Sequence, residues 1–256
     1  MLELHRSGPG RYGFDLTPEL ARFDGRLFGG AGLAAAVAVL EAETERRALW
    51  TTVQFVASAE IGERIDCRAE VLAAGYNTAQ AQVRASVGDR LVFVALGSTA
   101  RTRENGFSAD IATMPDMPGP DDCPGWLPEL PFPIETITAR GPFATSEFRF
   151  AANPDGPSGL WARLRSGPQT RATIAYLADF VPSSVLRAAG RAGGGTSLDN
   201  SIRYGQDVPP GAEWVLIVTD PYFVENGYVH GGARIWSEDG RLLAVASQTA
   251  IARILD

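Results

Sequence analysis

Two stretches of the sequence are nearly the same, and this internal repeat constrains the fold more than any other feature. Gly88–Ala95 (GDRLVFVA) reappears as Asp239–Ala246 (DGRLLAVA), with the Arg-Leu pair in register. The similarity extends over Leu49–Arg103 and Thr196–Arg253, which share glycine turns and apolar, strand-like runs. Because the repeat is about half the chain long, it predicts two fused copies of one small fold rather than a solenoid of short repeats.

Length and composition agree with two small domains and exclude several classes of function. The chain has 256 residues, 45% of them hydrophobic, and a net charge of −7, which argues against a broad nucleic-acid surface. No apolar run reaches the roughly 18 residues of a membrane span, and the N-terminus does not resemble a secretory signal. Cys67 and Cys123 are too few for a disulfide framework. We therefore expect a cytoplasmic protein with reduced thiols.

Each half is predicted to be a curled antiparallel sheet around one helix, which gives an α+β fold. The run from Ala31 to about Arg47 is apolar on all sides and predicts a buried helix. A second helix is predicted from Thr170 to about Ala189, ending at Gly190 and the glycines that follow. Strands are expected near residues 11–16, 49–58, 64–74, 76–87, 91–102, 143–150, 160–165, 196–204, 213–219, 227–237 and 241–254.

Proline divides the two halves. Eight prolines fall between residues 115 and 142, and they are expected to interrupt any regular element there. The predicted organisation is an N-terminal domain over 1–104, a surface linker over 105–142 and a C-terminal domain over 143–256. Exposed sheet edges on such small halves favour a homo-oligomer.

The inventory of catalytic side chains is short. There are two histidines, His5 and His230, and all 23 basic residues are arginine, so a lysine nucleophile is excluded. The sequence has no G-x-S-x-G elbow, no paired-cysteine metal spacing and no G-x-G-x-x-G between a strand and a helix. We expect neither a metal nor a cofactor, and we interpret His230 as a strand residue.

Polar residues interrupt apolar segments of the second half. Asp179 lies within a helical run and Gln248 within a strand, while Ser197 and Asp199 project from one face of a strand if alternation is regular. A buried carboxylate must be hydrogen-bonded or face a cavity. Taken singly, each of these residues has an ordinary structural interpretation.

The repeat turns these residues into functional candidates. The register that matches Arg90 to Arg241 places Gly97 opposite Gln248, and the first helix has no counterpart of Asp179. We therefore predict that the second copy carries the chemistry and that the first serves as scaffold and pocket wall.

Several blocks of the sequence, in order and spacing, resemble the type II acyl-CoA thioesterases, the TesB-like double-hotdog enzymes. The blocks are Leu27–Gly30, Leu177–Phe180, Thr196–Ile202, Glu213–Trp214 and Glu238–Gln248. The resemblance implies two fused hotdog domains. It also implies hydrolysis of a fatty acyl-CoA to free fatty acid and CoA by an activated water, without a covalent intermediate.

The resemblance assigns the family's catalytic residues to Asp179, Ser197 and Gln248. Asp179 would act as general base or orient the water, which Ser197 and Gln248 would hold. Gly29, Gly30 and Asp199 are substrate-binding candidates, although a structural role is favoured for Asp199. Arginines are suited to the phosphates of CoA; the candidates are Arg101, Arg103, Arg203 and Arg234.

Two alternatives remain open. The first is a non-catalytic acyl- or lipid-binding protein that retains the fold. The second is a hotdog hydratase or dehydratase, which needs an Asp-His pair and has only His230 available.

Overall fold

The computed structural model describes residues 2–128, 131–153 and 157–255, and these form one antiparallel sheet of twelve strands with helices packed against it. Some predicted positions lie outside the described residues: the domain ends at residues 1 and 256, and residues 129–130 of the linker. The first half contains β1 (His5–Gly8), β2 (Arg11–Asp15), α1 (Gly29–Thr44), β3 (Arg47–Phe55), β4 (Arg64–Ala74), β5 (Thr78–Val87) and β6 (Arg90–Ala100). After it come α2 (Ile134–Thr138), α3 (Gly141–Thr145), β7 (Ser146–Ala152), β8 (Ser158–Leu164), α4 (Arg171–Leu177), α5 (Val181–Ala188), β9 (Gly193–Tyr204), β10 (Val215–Glu225), β11 (Tyr228–Ser237) and β12 (Leu242–Ile254).

The two halves repeat one strand order. The sheet runs β1-β2-β4-β5-β6-β3-β9-β12-β11-β10-β8-β7, so β2-β4-β5-β6-β3 is matched by β8-β10-β11-β12-β9. The halves meet where β3 pairs with β9, from Trp50 opposite Arg203 to Gln54 opposite Asp199. In this arrangement β6 is the equivalent of β12, and β3 is the equivalent of β9.

Helix α1 is buried as its composition predicts, because the sheet strands β3 to β6 and helix α4 pack around it. It begins at Gly29, two residues earlier than predicted, and ends at Thr44. Glu45 adopts a left-handed conformation with φ of 53°, which stops the helix, and β3 starts at Arg47.

The second predicted helix is two helices, α4 and α5, with a break at Ala178–Phe180. Pro182 lies in the first turn of α5, where a proline is tolerated. If one helix continued through this point, the ring of Pro182 would clash with the carbonyl of Ala178, four residues earlier. The predicted stop at Gly190 is confirmed, since Gly190 has a φ of +72° and Arg191 N donates to Leu186 O at 2.9 Å. The glycines that follow, from Gly193, instead begin β9. The break therefore places Asp179 between two helices rather than within one.

The proline-rich segment is more ordered than predicted. It contains α2 and the start of α3, because Pro133 and Pro142 lie at helix N-termini, where proline needs no hydrogen-bond partner. The segment also covers the edge strand β7, since Trp126 N donates to Phe148 O at 2.8 Å and Phe150 N donates to Pro124 O at 3.0 Å. Within the described ranges, no helix is long and apolar enough to cross a membrane.

Candidate active site

Asp179 is a buried carboxylate held by three donors. The residue is only 9% exposed. Gly30 N donates to Oδ2 at 2.6 Å, and Oδ1 accepts from Gln248 Nε2 and, at 3.4 Å, from Asn200 Nδ2. Burial raises the pKa of Asp179 from its ordinary value of 3.8 to about 7, while the hydrogen bonds from Gln248 and Gly30 limit the increase. A group with this pKa gains and loses a proton near neutral pH.

Gln248 connects Asp179 to Ser197. Its amide nitrogen donates both to Asp179 Oδ1 and to Ser197 Oγ, the latter at 2.8 Å. Both amide hydrogens are therefore used, and the hydroxyl hydrogen of Ser197 remains free to be donated to another acceptor. None of the described residues donates to Gln248 Oε1, although this atom is buried. The structure thus brings together the three residues that the resemblance assigned to catalysis.

The first half contributes the backbone that faces this cluster. The ring of Phe28 packs edge-on against Tyr176 at 5.2 Å, which brings the start of α1 to Asp179. A Cβ on Gly29 would lie 2.7 Å from Asp179 Oδ2 and 2.9 Å from Ser197 Oγ, and one on Gly30 would lie 2.4 Å from Tyr176 O. At Gly30 a side chain would collide with the backbone, whereas at Gly29 it would meet only the side chains of Asp179 and Ser197. The first half is therefore more than the scaffold and pocket wall that the sequence predicts, because Gly30 hydrogen-bonds Asp179.

Asp199 is separated from the cluster by an irregularity in β9. The pairing of β12 with β9 shifts between Thr249, opposite Asp199, and Ala250, opposite Ser197. Leu198 is thus the extra residue of a β-bulge, which interrupts the alternation of side chains. The expected shared face of Ser197 and Asp199 is lost, and Asp199 Oδ1 instead accepts from Thr249 N at 3.0 Å.

The equivalent place in the first half is closed. Gly97 pairs with Thr51, as Gln248 pairs with Asn200. A Cβ on Gly97 would lie 2.5 Å from Leu40 Cδ1, a side chain that is itself fully buried. The two copies therefore differ at this position as the repeat indicates.

A cavity of about 1400 Å³ adjoins the cluster. Gly29, Asp179 and Ser197 line it, whereas Gly30, Asp199 and Gln248 do not. Aromatic residues form much of its apolar wall, and one of them, Trp126, comes from the predicted linker. The aromatic lining residues are Phe23, Phe28, Phe55, Trp126, Phe143, Phe150 and Phe180.

The charged residues of the cavity are mostly basic. Six arginines line it against two carboxylates, Asp24 and Asp179, and Asp24 is ion-paired with Arg22 at 2.5 Å. The six are Arg22, Arg26, Arg140, Arg187, Arg191 and Arg253. Such an excess in a chain of net charge −7 indicates an anionic ligand.

The arginines suggested from sequence do not line this cavity. Arg101 lies over the ring of Tyr76, and Arg234 is paired with Asp220 at 3.0 Å; Arg103 and Arg203 are likewise absent from the lining. His230 is also outside it, with Nδ1 3.0 Å from Thr249 Oγ1. Among the described residues, no cluster of three or more histidine, cysteine or acidic side chains could hold a metal.

Sequence reasoning did not assign a role to Asn200 or to the six lining arginines. Asn200 belongs to a block that carries the family resemblance, but nothing in the sequence sets it apart. The arginines come from four separate segments of the chain, so only the fold brings them together.

Comparison with known proteins identifies the family. The acyl-CoA thioesterase N-terminal domain matches residues 17–100, and the acyl-CoA thioesterase C-terminal domain matches residues 108–252. The chain therefore belongs to the acyl-CoA thioesterase family, as the resemblance to TesB-like proteins implied. No curated protein sequence matches it.

Solved structures show the fold. A candidate thioesterase from Novosphingobium aromaticivorans DSM 12444 is 32% identical, with a TM-score of 0.87 and 98% of each chain covered. A hot dog fold protein of unknown function from Alicyclobacillus acidocaldarius is 22% identical, with a TM-score of 0.83 and coverage of 98% and 96%. The acyl-CoA thioesterase II TesB2 from Mycobacterium marinum is 19% identical, with a TM-score of 0.77 and coverage of 98% and 96%. The predicted α+β double hotdog fold is confirmed.

Proposed function

We propose that the protein hydrolyses acyl-CoA thioesters to a carboxylic acid and CoA by direct attack of a water molecule. The observation that carries the proposal is the hydrogen-bonded cluster of Asp179, Gln248 and Ser197 in the wall of a large cavity. The family supports thioester hydrolysis, and the residue types fit the activation of water.

Asp179 is suited to act as the general base. A base works best when its pKa is near the operating pH, and burial raises that of Asp179 to about 7. A carboxylate offers roughly four acceptor positions. Three donors reach Asp179, so its capacity to accept a hydrogen from water is retained.

The attacking water is assigned to the space beside Gly29. Asp179 Oδ2 and Ser197 Oγ both border this space, and a side chain on Gly29 would fill it. A water there can donate to Asp179 and accept from the Ser197 hydroxyl, whose oxygen already accepts a hydrogen from Gln248. Gly29, Asp179 and Ser197 all line the cavity, so a water molecule in the cavity can lie next to the base.

The reaction needs no covalent acyl-enzyme. The water oxygen bonds to the thioester carbonyl carbon while its proton moves to Asp179 Oδ2. When the tetrahedral intermediate collapses, the carbon–sulfur bond breaks and the electron pair leaves with sulfur. The proton on Asp179 then passes to the CoA thiolate, which restores the carboxylate.

The cavity fits both parts of an acyl-CoA. Planar guanidinium groups match phosphate oxygens, and six arginines line the cavity. The aromatic wall offers an apolar surface for a fatty acyl chain, as ligand sites usually do. We therefore favour CoA thioesters as substrates.

Thiol release from a panel of acyl-CoAs tests the proposal. We expect wild-type turnover, and we expect Asp179→Ala and Gln248→Ala each to reduce kcat by at least about 10²-fold. Gln80→Ala is a matched control, because Gln80 also donates its amide to a serine hydroxyl, Ser98 Oγ at 3.0 Å, but away from the cavity. Near-wild-type turnover in both active-site variants would refute the assignment. Tight acyl-CoA binding without thiol release would instead favour a non-catalytic acyl-binding protein.

A further inference from the structure

Asn200 lies at the junction of the two halves, next to the proposed base. It is fully buried in β9, opposite Gln248 of β12 on one side and opposite Val53 of β3 on the other. Its amide nitrogen lies 3.4 Å from Asp179 Oδ1, the oxygen that also accepts from Gln248. Two side-chain amides from neighbouring strands therefore converge on one carboxylate oxygen.

The bulge at Leu198 makes this convergence possible. Ser197 and Asn200 are three residues apart, so in a regular strand their side chains would point to opposite faces. The extra residue resets the alternation, and both side chains then reach the cluster around Gln248 and Asp179. In a regular strand Asp199 would have shared the face of Ser197.

The first half has a polar residue at the equivalent position but no carboxylate near it. Thr51 in β3 pairs with Gly97 as Asn200 pairs with Gln248, and Thr51 is also fully buried. Of the two buried polar residues, only Asn200 contacts an acidic side chain. Thr51 is therefore a matched reference for Asn200.

We infer that Asn200 is a positioning residue that, with Gln248, holds Asp179 Oδ1 so that Oδ2 faces the attacking water. This inference rests on the proposed function. The two amides fix the plane of the carboxylate, and they leave Oδ2, with its Gly30 bond, beside Ser197 and Gly29. Gln248, Gly30 and the charge of Arg22 lower the pKa of Asp179 against the effect of burial. The Asn200 amide would add to this, since a donor to a carboxylate favours the charged state.

The pH dependence of hydrolysis tests this inference. Asn200→Leu removes the donor with little change in volume, and Asn200→Ala is a second variant if leucine disturbs folding. We expect kcat to fall by about tenfold and KM to change by less than about twofold, because Asn200 acts on the base. The pH midpoint of kcat should rise by about half to one unit, the range expected when one long, weak hydrogen bond is lost.

Thr51→Val is the control, and it should leave the pH midpoint and kcat unchanged. Difference infrared spectra against Asp179→Asn report the titration of Asp179 without requiring turnover. A higher midpoint in the Asn200 variants supports the inference, and a midpoint equal to wild type in both variants overturns it. A wild-type chain that releases no thiol would overturn the proposed function instead, and the infrared midpoint would still decide whether Asn200 acts on Asp179.

Discussion

Replacing Asp179 by asparagine should change how stability depends on pH. The pKa of Asp179 is about 7 in the folded protein against 3.8 ordinarily, so the folded state holds more protons than the unfolded state between these pH values. The free energy of unfolding must then fall as pH rises through this window. A pKa difference of about three units corresponds to about 4 kcal/mol of stability, present below about pH 4 and lost above about pH 7.

Urea unfolding of wild type and Asp179→Asn at several pH values between 4 and 8 measures this effect. Other carboxylates also titrate in this range, but they are common to both proteins and cancel in the difference. We expect wild type to lose up to about 4 kcal/mol relative to the variant as pH rises. A constant difference across the range would refute the idea that Asp179 is a buried base with a raised pKa. The same titration predicts that kcat/KM of wild type increases with pH around a midpoint near 7.

Three further changes test the cavity. Gly29→Ala places a methyl group between Asp179 Oδ2 and Ser197 Oγ, so hydrolysis should fall by at least about 10²-fold while the protein remains folded. Near-normal turnover would show that water does not occupy this space. Arg26→Gln combined with Arg187→Gln should raise KM for acyl-CoA by about tenfold at low salt but leave KM for a short thioester lacking phosphates unchanged. Arg84→Gln, on the outer surface, is the control. Equal effects on both substrates would argue against phosphate binding. Trp126→Ala removes an indole ring from the wall and so enlarges the cavity. The preferred acyl chain should become longer, and an unchanged chain-length profile would place the acyl group elsewhere.

The repeat predicted the architecture because glycine turns and apolar periodicity are local properties. The buried helix α1 follows from its apolar composition, and the strand order follows from duplication of one pattern. The break before α5 could also have been predicted from the sequence, because Pro182 disfavours a continuous helix through Ala178. The prediction of one helix was wrong because it gave Pro182 too little weight.

Other parts of the site depend on tertiary structure. The bulge at Leu198 has no local glycine or proline to mark it, so regular alternation predicted the wrong neighbour for Ser197. The contact between Gly30 and Asp179 joins residues 149 positions apart. Asp179 and Gln248 were recognised because each interrupts an apolar run, whereas Asn200 stands in a polar stretch and has no such contrast.

Rapid-quench mass spectrometry of the wild-type protein with excess acyl-CoA tests the central claim most directly. If Asp179 activates water for direct attack, free thiol and carboxylic acid appear in equal amounts at every time, and the mass of the protein does not change. A burst of thiol ahead of the acid, with the acyl group attached to the protein, would contradict direct water attack.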